Sequence, residues 1–212
     1  MMRIAVIDYG MGNLRSVLQA LRKVAPEKDA RVTSDPAEVA AAERVVFPGQ
    51  GAMPDCMAEL ERRRLKAAVL QAAAEKPFLG ICIGLQMLFE QSEEGNVAGL
   101  GVFSGQVRRF VHPLVDAARQ ETLKVPHMGW NRVWRQGQHP LWAGIEDGAR
   151  FYFVHSYCVF PAATALVAGR CEYGSSFTSA VGRANIFAVQ FHPEKSASDG
   201  LRLLKNFVSW QP

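Results

Sequence analysis

Phe78-Leu79-Gly80-Ile81-Cys82-Ile83-Gly84 decides how this chain folds. It begins as an apolar run of the kind found in strands buried on both faces, and a glycine stands two places before and two places after its cysteine. Small residues in that register let a strand turn sharply into a helix, the cysteine counterpart of the G-x-S-x-G elbow. An isolated cysteine in an apolar run is usually a small core residue. Here the two glycines favour the elbow, with the thiol projecting into solvent. A sulfur at the first turn of a helix lies near unpaired N–H groups and the positive end of the helix dipole, which favours thiolate, the reactive form.

Outward from this segment the chain keeps a strand, turn, helix rhythm. Arg3-Ile4-Ala5-Val6-Ile7-Asp8 predicts a strand, followed by the turn Tyr9-Gly10-Met11-Gly12-Asn13. Leu14, Val17, Leu18 and Leu21 then fall at helical spacing until Pro26. Residues 30–33 form a short strand, Ser34 or Asp35 before Pro36 starts a helix, and residues 44–47 form another strand. A long helix is expected after Pro54, with Leu65, Ala68, Val69 and Ala72 as its buried stripe and Arg62-Arg63-Arg64 on its solvated face. Strands alternating with helices predict a parallel sheet covered on both faces, with working groups at its C-terminal strand ends. Beyond residue 100 the pattern changes: residues 107–110, 151–155, 165–170, 178–182 and 186–191 read as closely spaced strands. Ala184-Asn185 turns a hairpin, and a final helix carries Leu201, Leu204 and Val208 on one side. The expected class is α/β: a mostly parallel central sheet with helices on both faces plus an antiparallel extension.

At 212 residues, 49% apolar and 21% charged, the chain is expected to form a single domain over residues 1–212. No apolar run reaches the roughly 18–20 residues of a spanning helix, and Met1-Met2-Arg3-Ile4 runs straight into a strand. The expectation is a soluble, cytoplasmic protein. Cys56, Cys82, Cys158 and Cys171 show no C-x-x-C spacing, so no metal site and no cofactor are expected, and a reducing compartment fits. A net charge of +4 without interleaved aromatic and basic residues argues against nucleic acid.

Two further segments bear on Cys82. Phe191-His192-Pro193-Glu194 closes an apolar strand with an imidazole and a carboxylate. A lone histidine at a strand end is more often structural, but Pro193 holds the backbone extended, so His192 and Glu194 share one side. That supplies a base and its orienter for the thiol. Pro48-Gly49-Gln50-Gly51 follows a strand expected beside the elbow strand. An amide of its Gln50 or Gly51, with the N–H of Ile83, would form an oxyanion hole rather than a mere tight turn. Gln86, one helical turn past Cys82, is either a surface residue or a contact for polar substrate groups.

Together G-I-C-I-G-L-Q around Cys82, P-G-x-G at 48–51 and F-H-P-E at 191–194 resemble the class I triad glutamine amidotransferases. The resemblance runs along nearly the whole chain. It narrows through Asp8-Tyr9-Gly10-Met11-Gly12-Asn13, Val125-Pro126-His127-Met128-Gly129-Trp130-Asn131 and Tyr152-Phe153-Val154-His155-Ser156-Tyr157, which are similar to the glutaminase subunits of imidazole glycerol phosphate synthase. This resemblance implies glutamine hydrolysis through a cysteinyl thioester by a triad of Cys82, His192 and Glu194. It implies a glutamine pocket drawing on Gly51, Gln86, His155, Ser156 and Tyr157. It also implies ammonia transfer to a (β/α)8 cyclase subunit in histidine biosynthesis, as a heterodimer, with Met11, Asn13 and Lys195 at the interface. Gln50 departs from the family, which more often has an apolar residue there. The glycines flanking it suggest that a loop amide completes the oxyanion hole only when the partner binds. Other readings are an amidotransferase of anthranilate, guanylate, carbamoyl phosphate or pyridoxal phosphate synthesis, a hydrolase of another amide or peptide, and a binding module that keeps only the fold.

Overall fold

A computed structural model describes residues 2–111, 113–116 and 120–212. Its first half runs β1 (Arg3–Ile7), α1 (Leu14–Val24), β2 (Asp29–Thr33), α2 (Pro36–Ala41), β3 (Arg44–Gly49), α3 (Met53–Arg62), α4 (Lys66–Glu75), β4 (Phe78–Cys82) and the single turn α5 (Ile83–Gln86). The second half is β5 (Phe89–Ser92), β6 (Val97–Ala98), β7 (Phe103–Arg109), β8 (Leu114–Asp116), β9 (Glu121–Leu123), β10 (His127–Arg135), β11 (Ala149–His155), β12 (Tyr157–Pro161), β13 (Val167–Tyr173), β14 (Ser175–Arg183), β15 (Ile186–Val189) and α6 (Ala197–Ser209).

Five strands, in the order β2-β1-β3-β4-β15, are all parallel. Their residues from β3 and β4 are buried without exception, as expected for strands covered on both faces. Right-handed crossovers place α1 on one face and α2 to α4 on the other, because the chain moves from β1 to β2 and then reverses direction across the sheet. α1 packs with α6, and α2 packs with α4. The sheet then continues antiparallel through β14, β12 and β7, with β13, β10 and β11 branching from β14. β8 and β9 form a separate hairpin. The expected class, a mostly parallel sheet with an antiparallel extension, is therefore the observed one, and the hairpin at Ala184-Asn185 joins β14 to β15.

The long helix expected after Pro54 is instead two. The backbone of Arg64 turns left-handed (φ 57°), the amide of Leu65 reaches back to the carbonyl of Leu60 and that of Arg64 to Glu61, so the helix ends in a Schellman motif that drops Leu65 into the core before α4 begins. Nor is the arginine cluster simply solvated: Arg62 and Arg63 share Glu59, and Arg63 extends toward Asp8 across the Gly10 turn.

The elbow is held by backbone packed on backbone. A Cβ on Gly84 would land on the carbonyl oxygen of Phe47 in β3, and one on Gly80 would stand 2.8 Å from the Cβ of Ala188 in β15. Gly84→Ala is therefore expected to destabilise the protein by about 3 kcal/mol or more in urea unfolding, the overpacking cost of a site that cannot yield. Gly101→Ala, where a Cβ meets nothing within 4 Å, carries only the strain of its φ of 66° and is expected to cost about 1 kcal/mol.

Candidate active site

Cys82 ends β4 with φ 56° and ψ −111°, a conformation rare for a residue with a side chain, and Ile83 starts α5 immediately. In the sheet, Gly49 stands opposite Cys82 on one side and Val189 opposite Ile81 on the other. The loop after β3 and the turn after β15 thus meet at the sulfur. Contrary to the sequence expectation, the thiol does not project into solvent. Cys82 is 4% exposed, because the antiparallel extension roofs the elbow. It sits in the floor of a cleft of about 210 Å³, lined also by Gln50, Gly51, Glu94, His155 and His192.

The turn carrying the imidazole also differs from expectation. β15 ends at Val189, and Pro193–Lys195 forms one turn of 3-10 helix with His192 at its start, so the segment is not an extended strand. Proline suits the first position of such a turn, where no N–H is needed. The turn itself, rather than strand alternation, folds Glu194 back onto the ring: His192 Nδ1 lies 2.9 Å from Glu194 Oε1, both side chains buried. The His192 amide donates to the Tyr152 carbonyl (2.9 Å). The Ser196 hydroxyl donates to the His192 carbonyl (2.6 Å) and accepts from the Tyr152 amide (3.0 Å). Gly200 of α6 packs so closely that a Cβ there would strike the Pro193 carbonyl.

With Nδ1 on the carboxylate, Nε2 faces the cleft. It lies within electrostatic reach of the Cys82 sulfur, yet outside hydrogen-bond geometry with any described atom. Burial alone pushes the ring's pKa down. Interaction with the Cys82 sulfur, and after it with the Glu194 carboxylate, outweighs burial and raises it. The other three thiols are held protonated by burial, Cys56 at about 11 and Cys158 and Cys171 at about 12.

Gln86 is no surface residue. It is 1% exposed, and its Nε2 donates to the Tyr157 carbonyl (3.1 Å) and to Gln190 Oε1 (3.0 Å), while its own Oε1 lacks a partner. Behind it, His155 Nδ1 donates to the same Tyr157 carbonyl (2.8 Å), which makes His155 Nε2 an acceptor for His127 Nδ1 (3.0 Å); His127 Nε2 then accepts from Asn131 (3.3 Å). Burial lowers His155 to about 3 and His127 to about 4, so both rings are neutral. Ser156 lines the cleft beside them.

On the other wall, the Gln50 carbonyl takes a long contact from the Cys56 thiol (3.7 Å), and Gly51 has φ 111°. Met11 lies against Gly51, and Asn13 stands at the start of α1 without a side-chain capping bond. Lys195 is exposed, its Nζ 5.8 Å from the centre of the Tyr152 ring. Among the described residues no group of three His, Cys, Asp or Glu is arranged for a metal ion.

Sequence reasoning missed Gln190, Glu94 and His127 as parts of this site. Gln190 left a visible signal, a polar residue in an apolar run and two places before His192, hence on its side of the chain. Glu94, which accepts from the Met53 amide (2.8 Å), belongs to no pattern readable in one dimension.

Residues 5–210 match the family described as glutamine amidotransferase class-I. The chain is 71% identical to the imidazole glycerol phosphate synthase subunit HisH of Dechloromonas aromatica, covering 99% of this chain and 97% of that protein. It is 66% identical to the protein of that name from Aromatoleum aromaticum, covering 99% of each. Among solved structures it resembles PurLQS from Thermotoga maritima (TM-score 0.73, 19% identity, 98% and 97% of the chains covered) and a GMP synthase protein from Thermoplasma acidophilum (TM-score 0.70, 17% identity, 98% and 92% covered). These last two likenesses concern the fold.

Three neutral rings, His127 and His155 buried and His139 half-buried, make stability depend on pH. His127, His139 and His155 have folded pKa values lowered by burial to about 4, 4 and 3, so on acidification the unfolded chain binds protons first. Their stabilisation is complete above about pH 6.5 and is lost as pH falls toward the folded values, at up to about 1.4 kcal/mol per pH unit per ring. His192, whose folded value is raised to about 10, acts in the opposite sense: its stabilisation is present below about pH 6.5 and is lost as pH rises toward the folded value, so it adds little slope on the acid side. Urea unfolding at stepped pH is expected to show the loss starting near pH 6, above the range where carboxylates titrate.

Proposed function

We infer that Cys82 is the nucleophile of a glutaminase, because the chain belongs to the class-I glutamine amidotransferases and, within them, to the family of imidazole glycerol phosphate synthase subunit HisH. The activity is that of the glutamine amidotransferase subunit of imidazole glycerol phosphate synthase, in histidine biosynthesis. One observation carries the assignment of roles: His192 is gripped by Glu194 through Nδ1 while Nε2, without a hydrogen-bond partner, faces the sulfur in the floor of the cleft.

In this reading the Cys82 thiolate attacks the side-chain carbonyl carbon of glutamine. The oxyanion formed is met by the Ile83 N–H and an amide of Gln50 or Gly51. His192 passes a proton to the departing nitrogen, ammonia leaves, and a glutamyl thioester remains on Cys82. His192 then takes a proton from water, the resulting hydroxide adds to the thioester, and glutamate leaves as the thiolate is restored. Glu194 holds the ring's tautomer and favours imidazolium. The unpartnered Gln86 Oε1 accepts from a substrate N–H, Glu94 faces the α-ammonium, and His155-Ser156-Tyr157 supplies the opposite wall.

Ammonia then goes to a (β/α)8 cyclase subunit, which forms imidazole glycerol phosphate and aminoimidazole carboxamide ribotide. Met11, packed against Gly51, and Asn13, both on the loop after β1, are assigned to that interface together with the exposed Lys195 of the H-P-E turn. The only tie on the Gln50 carbonyl among the described residues is a weak thiol contact, so a loop amide has room to realign when the partner docks. The chain acts as one domain over residues 1–212 and works in the cytoplasm; no described helix is long and apolar enough to cross a membrane.

Cys82→Ser is expected to abolish release of glutamate from glutamine, and Glu194→Gln to lower kcat by about 10³–10⁴-fold with the fold intact, both followed by a coupled glutamate assay. The isolated chain is expected to be a weak glutaminase that a cyclase subunit with its nucleotide ligand stimulates strongly. Equal turnover with and without that partner would remove the loop mechanism.

A further inference from the structure

We propose that Gln190 is a positioning residue for the nucleophile, its side-chain amide donating to the Cys82 sulfur and its orientation dictated by Gln86. The proposal rests on Cys82 being the nucleophile. Gln190 is fully buried one residue beyond β15, its backbone amide fixed to the Ser179 carbonyl (2.8 Å), and its Nε2 lies 3.7 Å from Cys82 Sγ.

The direction of the amide follows from the partners. The Tyr157 carbonyl can only accept, so the amide that faces it from Gln86 is an NH₂ group. The second N–H of that group points to Gln190, which must answer with its oxygen (3.0 Å). The NH₂ of Gln190 is thereby turned toward the sulfur. The other polar neighbour of Sγ is the Val154 carbonyl at 4.0 Å, an acceptor that suits the S–H form. The two contacts therefore act oppositely: Val154 favours thiol, and Gln190 favours thiolate and fixes the direction of its lone pairs.

The titratable groups around the sulfur are His192 with Glu194, His155, Tyr9 and Cys56, with Glu94 lining the same cleft. None of them is hydrogen-bonded to the Gln190 side chain, so a change there acts on the sulfur through the lost donor. The alternative is that Gln190 serves only to hold Gln86, and substitutions separate the two. Gln190→Met fills the space and removes both contacts. Gln190→Glu keeps an acceptor for Gln86 and replaces the donor to sulfur with a carboxylate oxygen.

The test is the rate of Cys82 alkylation by iodoacetamide between pH 5 and 9, read by mass spectrometry of the Cys82 peptide, on the purified chain and on its complex with the cyclase subunit. Circular dichroism and thermal unfolding check that each variant is folded. Both variants are expected to move the alkylation midpoint up by about one pH unit or more, the worth of a hydrogen bond to a charged group. The shift from Gln190→Glu is at least as large as that from Gln190→Met, its carboxylate adding a charge effect, and kcat for glutamine falls about tenfold in each, with KM within about twofold in Gln190→Glu, which keeps the Gln86 contact. A wild-type alkylation profile in Gln190→Met, whatever the glutamate variant shows, would overturn the proposal and leave Gln190 as a support for Gln86. If the methionine variant does not fold, Gln190→Leu takes its place, because the carboxylate of the glutamate variant raises the midpoint by its charge and is not decisive alone. Alkylation needs no glutamine, so a failure of the glutaminase reading would show in the turnover assay and leave this result standing.

Discussion

The left-handed backbone at Cys82 is the constraint from which the site follows. A non-glycine residue there costs on the order of 1–3 kcal/mol and persists only where its surroundings leave no alternative. Here Gly84 presses on the Phe47 carbonyl, Gly80 on Ala188, and Gly49 on Ile83, so three parallel strands clamp the turn from both sides. Release of any one of these approaches would let the chain continue as strand or begin its helix one residue earlier. Either change would swing the sulfur away from the end of β15, where the imidazole waits.

Two electrostatic regimes meet at that sulfur. Behind Gln86, His155 and His127 are buried with neutral partners, so desolvation governs and the rings stay uncharged as links in a hydrogen-bond chain. On the other side, His192 is buried as deeply but faces a carboxylate and a sulfur, and those charges reverse the sign of the shift. Residue type and burial are alike in the two cases. Partner charge decides which ring's pKa rises and which rings stay neutral.

Much of this was legible in one dimension because it rests on short-range rules. Apolar runs closed by glycines gave β1, β3 and β4, the Ala184-Asn185 turn gave the β14–β15 hairpin, and glycines at Gly80 and Gly84 marked the elbow. The errors arose where tertiary contacts override local preference. Leu65 breaks the helix to reach the core, and Glu194 reaches His192 by a 3-10 turn that Tyr152, Ser196 and Gly200 brace from distant segments. The thiol is covered because Val154 to Tyr157, where β11 passes into β12, close over it, which no pattern near residue 82 encodes. For the same reason one dimension left Gln86 open between a surface residue and a contact for polar substrate groups.

The pairing of β4 with β15 has a temporal consequence. These adjacent parallel strands are separated by the whole antiparallel extension, and contacts so distant along a chain form late, after the closure entropy of the intervening loop has been met by other interactions. During synthesis the sulfur emerges from the ribosome long before the imidazole does. A nascent or half-folded molecule therefore carries Cys82 with no imidazole beside it and no cleft around it. The two come together only with the last strand of the sheet.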